Sequence, residues 1–188
     1  MAEINGIEFG PLAGLVGTWE GDKGMDVSPN KTEGTEDNPY FETITFEVVG
    51  DVTNAGKQTL AVIRYHQVVS RKADNQIFHD EIGYWMWDDA SKTVAHSLAI
   101  PRAVAVLAGG KYDGAGTGGG VEISVAAKLG DPDWGIVQSP FMRDNASTVE
   151  FRHNVKINGN KLSYLETTVL EIYGKTFDHT DENELIKV

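Results

Sequence analysis

The sequence predicts an all-β protein, built as an antiparallel up-and-down β-barrel of about ten strands. Apolar and polar residues alternate with a period of two in one segment after another, and short turn signals separate these segments. The 21 glycines favour turns and strand kinks over long helices. Since no βαβ spacing, internal repeat or linker interrupts the pattern, we expect a single domain over residues 1–188.

The chain begins with a plug and a bent first strand. Residues 11–16, Pro-Leu-Ala-Gly-Leu-Val, are short and apolar and predict one helical turn. The following Gly17-Thr18-Trp19-Glu20-Gly21 places a tryptophan between glycines, which let a strand bend sharply around a large side chain. We therefore expect Trp19 to be buried at one end of the barrel.

Period-two segments then follow one another to the end of the chain. They cover residues 42–49, 59–69, 76–87, 93–100, 103–108, 121–127, 149–157, 162–173 and 182–188. In the second segment His66 and Val68 share one face with Leu60 and Val62. Residues 88–91 predict a hairpin turn, and Asn158-Gly159 predicts a type I′ turn because both central residues of that turn need positive φ.

Two stretches break this rhythm, and a third segment is rich in glycine. Residues 22–39 are polar and acidic, which predicts a surface excursion. Residues 130–146 predict an irregular or helical flap. Residues 114–120 are rich in glycine, but they lack the Lys-Ser/Thr pair and the following helix of a phosphate-binding loop, so we expect a flexible hairpin loop.

Composition excludes several classes of function. The net charge of −12 opposes binding to nucleic acid and to anionic membranes. The absence of cysteine excludes disulfides, thiolate catalysis and cysteine-ligated metal sites. The N-terminal residues show neither a signal peptide nor a membrane span, and the expected location is the cytoplasm.

Local motifs alone do not define a catalytic site. The five histidines lack the spacing of a zinc-protease helix, and each one by itself is read as a partly exposed or hydrogen-bonded strand residue. Neighbouring carboxylates such as Asp80 and Glu81 point to opposite faces of a strand, so they do not form acid/base pairs. No Ser-His-Asp arrangement is suggested.

Four segments, in order, resemble nitrobindin-type heme-binding β-barrels. They are residues 12–21 (LAGLVGTWEG, with its Gly-x-Trp-x-Gly), 78–85 (FHDEIGYW), 98–103 (LAIPRA) and 177–185 (FDHTDENEL). The resemblance implies a ten-stranded barrel similar to lipocalins and fatty-acid-binding proteins, with heme b held at the open end.

The same resemblance implies the site residues. His179 is expected to be the axial ligand of the heme iron and His79 to lie near the opposite face of the porphyrin. Phe78, Ile100 and Pro101 are expected to line the pocket. Family members bind nitric oxide, and their ferric forms convert peroxynitrite to nitrate, so peroxynitrite isomerase is the enzyme activity to consider.

The chain differs from the family pattern around this histidine. Asp178 replaces a proline, and Asp181 and Glu182 add negative charge. Nearby carboxylates favour a protonated imidazole, which cannot ligate iron.

A second hypothesis is a heme-free carrier of a small apolar ligand such as a fatty acid. A barrel of this size encloses one ligand, and Arg64, Arg102 or Arg152 would pair with its carboxylate. A secreted lipocalin fits less well, because such a protein normally has a signal peptide and often has cysteines. An unforeseen enzyme or interaction module stays open, and so does the choice between a monomer and a homodimer.

Overall fold

A computed structural model describes residues 2–32, 34–114 and 120–188. Within these residues ten antiparallel strands, each beside its neighbour along the chain, close into a barrel, which confirms the predicted fold class. The barrel strands are β3 (Gly17–Pro29), β4 (Thr35–Asn54), β5 (Gln58–Arg71), β6 (Ile77–Asp88), β7 (Thr93–Ile100), β8 (Val104–Lys111), β9 (Val121–Lys128), β11 (Ala146–Asn158), β12 (Lys161–Ile172) and β13 (Lys175–Lys187). Closure comes from pairing of β13 with β3 and of β8 with β9.

The described residues also contain short elements outside the barrel. Strands β1 (Glu3–Ile4) and β2 (Ile7–Glu8) form a small hairpin, and β10 (Ile136–Gln138) adds an eleventh strand beside β8. The helices are a 3-10 helix over Gly10–Gly14 and α1 over Pro140–Asn145. None of the described helices has the length and apolar character needed to cross a membrane.

The 3-10 helix closes one end of the barrel, as the plug prediction required. It packs against β6 and β9, and both Leu12 and Leu15 are fully buried. Trp19 is also fully buried, and its indole N–H donates a hydrogen bond of 2.6 Å to the carbonyl oxygen of Leu15. The helix and the start of β3 are thereby held together, and the expected position of Trp19 is confirmed.

Alternating residues of the strands fill the barrel behind this plug. The apolar core includes Ile44, Phe46, Ile63, Trp85, Val94, Ile123, Phe151, Ile157, Leu162 and Leu185. On β5 the inward face carries Ile63, Tyr65 and Gln67, so the row that contains His66 and Val68 faces the outside of the barrel.

The prediction of a surface excursion over residues 22–39 is wrong. Most of this stretch belongs to β3 and β4, and Asp26 and Asn38 are buried inside the barrel. Gly24 lies directly beneath the ring of Tyr40, where a Cβ atom would collide with it. The inward-facing residues of β3 and β4 are polar here. The strands therefore lack the alternation of apolar and polar residues from which a strand is predicted.

The flap over residues 130–146 contains α1, as expected, together with the three-residue strand β10. Ser139 caps α1, since its hydroxyl oxygen accepts a hydrogen bond of 3.3 Å from the backbone N–H of Met142. Of the predicted glycine-rich loop at residues 114–120, residues 115–119 lie outside the described residues.

Two predicted turns have different outcomes. The Asp88 carboxylate accepts backbone hydrogen bonds from Ala90 and Ser91, as a hairpin turn requires. The type I′ turn at Asn158-Gly159 is wrong, because Asn158 pairs with Lys161 and the loop is Gly159-Asn160. Only Gly159 has a positive φ, +63°, which matches a type II′ turn with glycine at its first central position.

Candidate functional site

An open cavity of about 360 Å³ lies at the barrel end opposite the 3-10 helix. Its volume falls within the range of small-molecule binding sites. The apolar part of its wall consists of Phe78, Leu98, Ile100, Val104, Val106, Met142, Phe151, Leu170 and Ile172. The charged part consists of Asp26, Glu36, Glu81, Glu166 and Asp181 with Arg71, Arg102, His79 and His179. The cavity is therefore an apolar slot with an unusually acidic lining.

His179 reaches this cavity because it alternates with Asp181 on the inward face of β13. Its Nε2 atom lies 2.5 Å from Oδ1 of Asp26 and 3.4 Å from Oδ2 of Asp181. Burial alone would lower the pKa of His179, but the hydrogen bond to Asp26 and the charge of Asp181 outweigh it and raise that pKa. Burial likewise opposes ionisation of Asp26, yet the pairing with His179 lowers its pKa.

Strand register brings three carboxylates into one row beside this histidine. Asp181 on β13 is paired with Asp26 on β3 on one side and with Glu166 on β12 on the other. Burial raises the pKa of Asp181 to about 6 and, together with the charges of Glu81 and Asp181, raises that of Glu166 well above its usual range. The row continues to His153, whose Nδ1 atom lies 3.2 Å from Oε2 of Glu166.

His79, on β6, is the first residue in a second series of polar contacts, which continues through Glu81 and Tyr65 to His96. Its Nε2 atom lies 3.5 Å from Oε2 of Glu81, and the other carboxylate oxygen of Glu81 accepts a hydrogen bond from the Tyr65 hydroxyl. His96 Nε2 lies 2.8 Å from that hydroxyl, and burial holds the pKa of His96 well below its usual range. Since the hydroxyl donates to Glu81, neutral His96 donates to the hydroxyl oxygen.

The resemblance-based site residues divide into those in the cavity and one outside it. Phe78, His79, Ile100 and His179 all line the cavity. Pro101 lies exposed in the turn between β7 and β8 and is not part of the lining.

Of the arginines proposed to hold a ligand carboxylate, only Arg102 lines the cavity. Arg64 pairs with Glu47, and Arg152 pairs with Glu150, both on exposed surfaces. Sequence reasoning missed Arg71, whose guanidinium stacks over the Phe78 ring at 5.1 Å and whose Nε atom is buried without a hydrogen-bond partner among the described residues.

Sequence reasoning also missed Asp26 and Glu166 as site residues. Asp26 lay in a stretch assigned to the surface, and the Gly24-Asp26-Ser28 alternation was the available signal. Glu166 interrupts the apolar inward face of β12, where Tyr164 and Thr168 flank it. A polar residue at an inward position of a barrel strand, such as Glu166, indicates that the barrel interior holds a polar cavity there.

The residues of the cavity fit a porphyrin ring in shape. They can ligate its iron only when Nε2 of His179 is released from Asp26. The apolar wall suits the ring, and the orphaned Nε of Arg71 suits a propionate. The nitrogen required by iron is already held by Asp26, so iron and Asp26 compete for the same atom of His179.

Comparison with known protein structures agrees with the fold. The crystal structure of Rv2717c from M. tuberculosis matches with a TM-score of 0.66 and 22% identity, covering 96% of this chain and 99% of that chain. At this identity the match is evidence for the fold. Comparison with curated protein sequences found no match.

Barrel, plug and open polar–apolar cavity together define a small-ligand-binding β-barrel. The family model described as "THAP4-like, heme-binding beta-barrel domain" matches residues 8–187. The chain belongs to this family of heme-binding barrels, which confirms the resemblance drawn from the four motifs.

Proposed function

We propose that the cavity binds heme b and that His179 ligates its iron once Asp26 has moved away. The observation that carries this proposal is the position of His179, which lines the open cavity of a barrel from a heme-binding family. When bound, a ferric heme supplies an iron centre of the kind that binds nitric oxide and isomerises peroxynitrite, the two activities implied by the family resemblance.

The chain's own residues would hold and enclose this guest. Phe78 and Ile100 would pack on the ring, and Arg71 and Arg102, which also line the cavity, would pair with the propionates. His79 is held beside Glu81, whose hydrogen bond and charge outweigh burial and raise the pKa of His79. The raised pKa favours the protonated form of His79, which would offer a proton donor at the cavity surface to a bound anion such as peroxynitrite.

Hemin titration tests the ligand assignment. Wild-type protein should develop a Soret band that saturates with hemin, and His179→Ala should lose the shift. His66→Ala is the matched control, because His66 is exposed on the outer face. Identical titrations of wild type and His179→Ala would show that His179 is not the ligand.

A second test concerns the competitor for the same nitrogen. Asp26→Asn removes the charged partner of Nε2, and a hydrogen bond to a charged group contributes about 1.5–3 kcal/mol. Hemin affinity should therefore rise about tenfold or more. An unchanged or weaker affinity would contradict the competition between Asp26 and iron.

A heme-free carrier of a small apolar anion is the second candidate, and the orphaned Nε of Arg71 favours it. A fluorescent fatty acid should then bind with saturation and lose affinity in Arg71→Gln. Saturable hemin binding that the fatty acid cannot displace would decide against this candidate.

A further inference from the structure

A group of three potential metal ligands lies in the wall of the cavity. His179 Nε2, one oxygen of Asp26 and one oxygen of Asp181 all lie within 4.8 Å of one another. Strand pairing fixes the group, because Asp26 and Asp181 are cross-strand partners and His179 is two residues along the same face of β13. Two adjacent strands of a closed barrel therefore hold the donors together.

The carboxylate of Asp181 has few polar partners within the described part of the protein. Asp26, Asp181 and Glu166 form consecutive cross-strand pairs, and like charges directly opposite each other destabilise a sheet. Among the described residues no donor makes a hydrogen bond to the carboxylate of Asp181, whereas Glu166 lies 3.2 Å from Nδ1 of His153. The Nε2 atom of His179 lies 3.4 Å from Oδ2 of Asp181. The His179 imidazole thus contacts both Asp26 and Asp181, and the three side chains converge as the donors of a cation site do.

Asp26 is also oriented as metal ligands usually are. Its Oδ2 atom accepts hydrogen bonds from Asn38 Nδ2 at 2.8 Å and from Ser28 Oγ at 2.9 Å, which leaves Oδ1 directed at His179. Outer-shell donors of this kind fix the direction of a ligating carboxylate. The side chain is only 5% exposed, so its position is set by packing as well.

The donor spacing suits a small transition-metal ion. Ligand atoms about 2.1 Å from a metal stand roughly 3.0–3.4 Å apart in octahedral or tetrahedral geometry. The 3.4 Å separation of Nε2 and Asp181 Oδ2 already matches, and that of Nε2 and Asp26 Oδ1 needs to open from 2.5 Å. One imidazole and two carboxylates leave a further position open toward the cavity.

We propose that in the heme-free protein Asp26, His179 and Asp181 bind one divalent transition-metal ion of the Zn²⁺ class, with water in the open position. This site goes beyond the proposed heme function but shares His179 with it. A bare cation uses all three side chains, whereas heme iron uses only the imidazole. Heme and the bare cation therefore exclude each other. Substituting a carboxylate distinguishes them by experiment, because only the bare cation uses the carboxylates as ligands.

The test is calorimetric titration of the metal-stripped protein, residues 1–188, with Zn²⁺. One equivalent should bind per chain, and Asp181→Asn and His179→Ala should each weaken it at least tenfold, while Asn38→Ala should weaken it about 10–100-fold. His66→Ala is the matched control, because His66 and Asp80 form a His–carboxylate pair on the outer face, 3.3 Å apart. Near-ultraviolet circular dichroism and melting temperature confirm that each variant is folded.

Two results would overturn the proposal: no saturable Zn²⁺ binding, or folded Asp181→Asn that binds as wild type does. The heme proposal fails separately. Asp181→Asn should keep the hemin Soret shift, since iron does not need Asp181, and Zn²⁺ loading should slow or prevent that shift in wild type. Hemin that binds equally well to the Zn²⁺-loaded protein would refute the shared use of His179.

Discussion

Glu42 should make the protein less stable at neutral pH than in mild acid. It lies on the inward face of β4 with 3% of its surface exposed. Its carboxylate accepts hydrogen bonds from Gln67 (2.5 Å), Asn183 (2.7 Å) and Tyr164 (2.8 Å). Burial outweighs these donors and raises the pKa of Glu42 to about 7.

The sign and size of the effect follow from proton linkage. In the unfolded chain the pKa returns to its ordinary value of 4.5. Between pH 4.5 and about 7 the folded protein keeps a proton that the unfolded chain has released, so stability falls as pH rises. The full window corresponds to about 3 kcal/mol, and below it the penalty disappears.

Urea unfolding of wild type and Glu42→Gln measures this term. The free energy of unfolding of the variant, relative to wild type, should rise by about 2–3 kcal/mol between about pH 5 and about pH 8. Taking the difference between proteins cancels the other buried groups, such as Asp181 and His153. Exposed Glu20→Gln is the control and should follow wild type at both pH values. Parallel pH curves for wild type and Glu42→Gln would refute the reasoning.

Three further substitutions test the fold and the cavity. Gly159→Val should lower the free energy of unfolding by about 1–3 kcal/mol in thermal melts, because φ is +63° there, while Asn160→Ala in the same loop should have little effect. Trp19→Phe should cost about 1–3 kcal/mol, since the buried carbonyl of Leu15 loses its donor; an unchanged melting curve would show that water replaces it. Arg71→Ala should weaken hemin binding in Soret titrations more than it weakens an uncharged porphyrin ester; equal losses would mean that Arg71 contributes packing alone.

The barrel itself could be predicted because its signals are local. Alternation within each strand and turn residues between strands depend on neighbours a few positions apart. Trp19 and the 3-10 plug were predicted for the same reason, since Gly-Thr-Trp directly follows a short apolar turn. The β11–β12 loop was misplaced by one residue, because both Asn158 and Asn160 flank Gly159 and either dipeptide suits a tight turn.

The acidic half of the site could not be predicted in the same way. Asp26 and His179 are 153 residues apart, and only the pairing of the first barrel strand with the last brings them together. A polar cavity wall also removes the hydrophobic contrast on which strand prediction depends. His179 and His79 were found through resemblance to a family, whereas Asp26 lies where this chain carries a different residue pattern.

Asp26 is the position where the two proposed guests make opposite demands. Heme iron needs the Nε2 lone pair of His179, so the Asp26 carboxylate opposes it, while a bare cation needs that carboxylate as a ligand. Asp26→Asn should therefore raise hemin affinity and lower Zn²⁺ affinity in the same preparation. A folding defect would lower both affinities. If the effect came only from the charge of the cavity, replacing Glu36 at the cavity wall with glutamine would lower the Zn²⁺ affinity equally. Opposite movement of the two affinities in Asp26→Asn, absent from Glu36→Gln, is the result expected if one imidazole serves both guests. Movement in the same direction in an Asp26→Asn protein that melts as wild type does would rule that out.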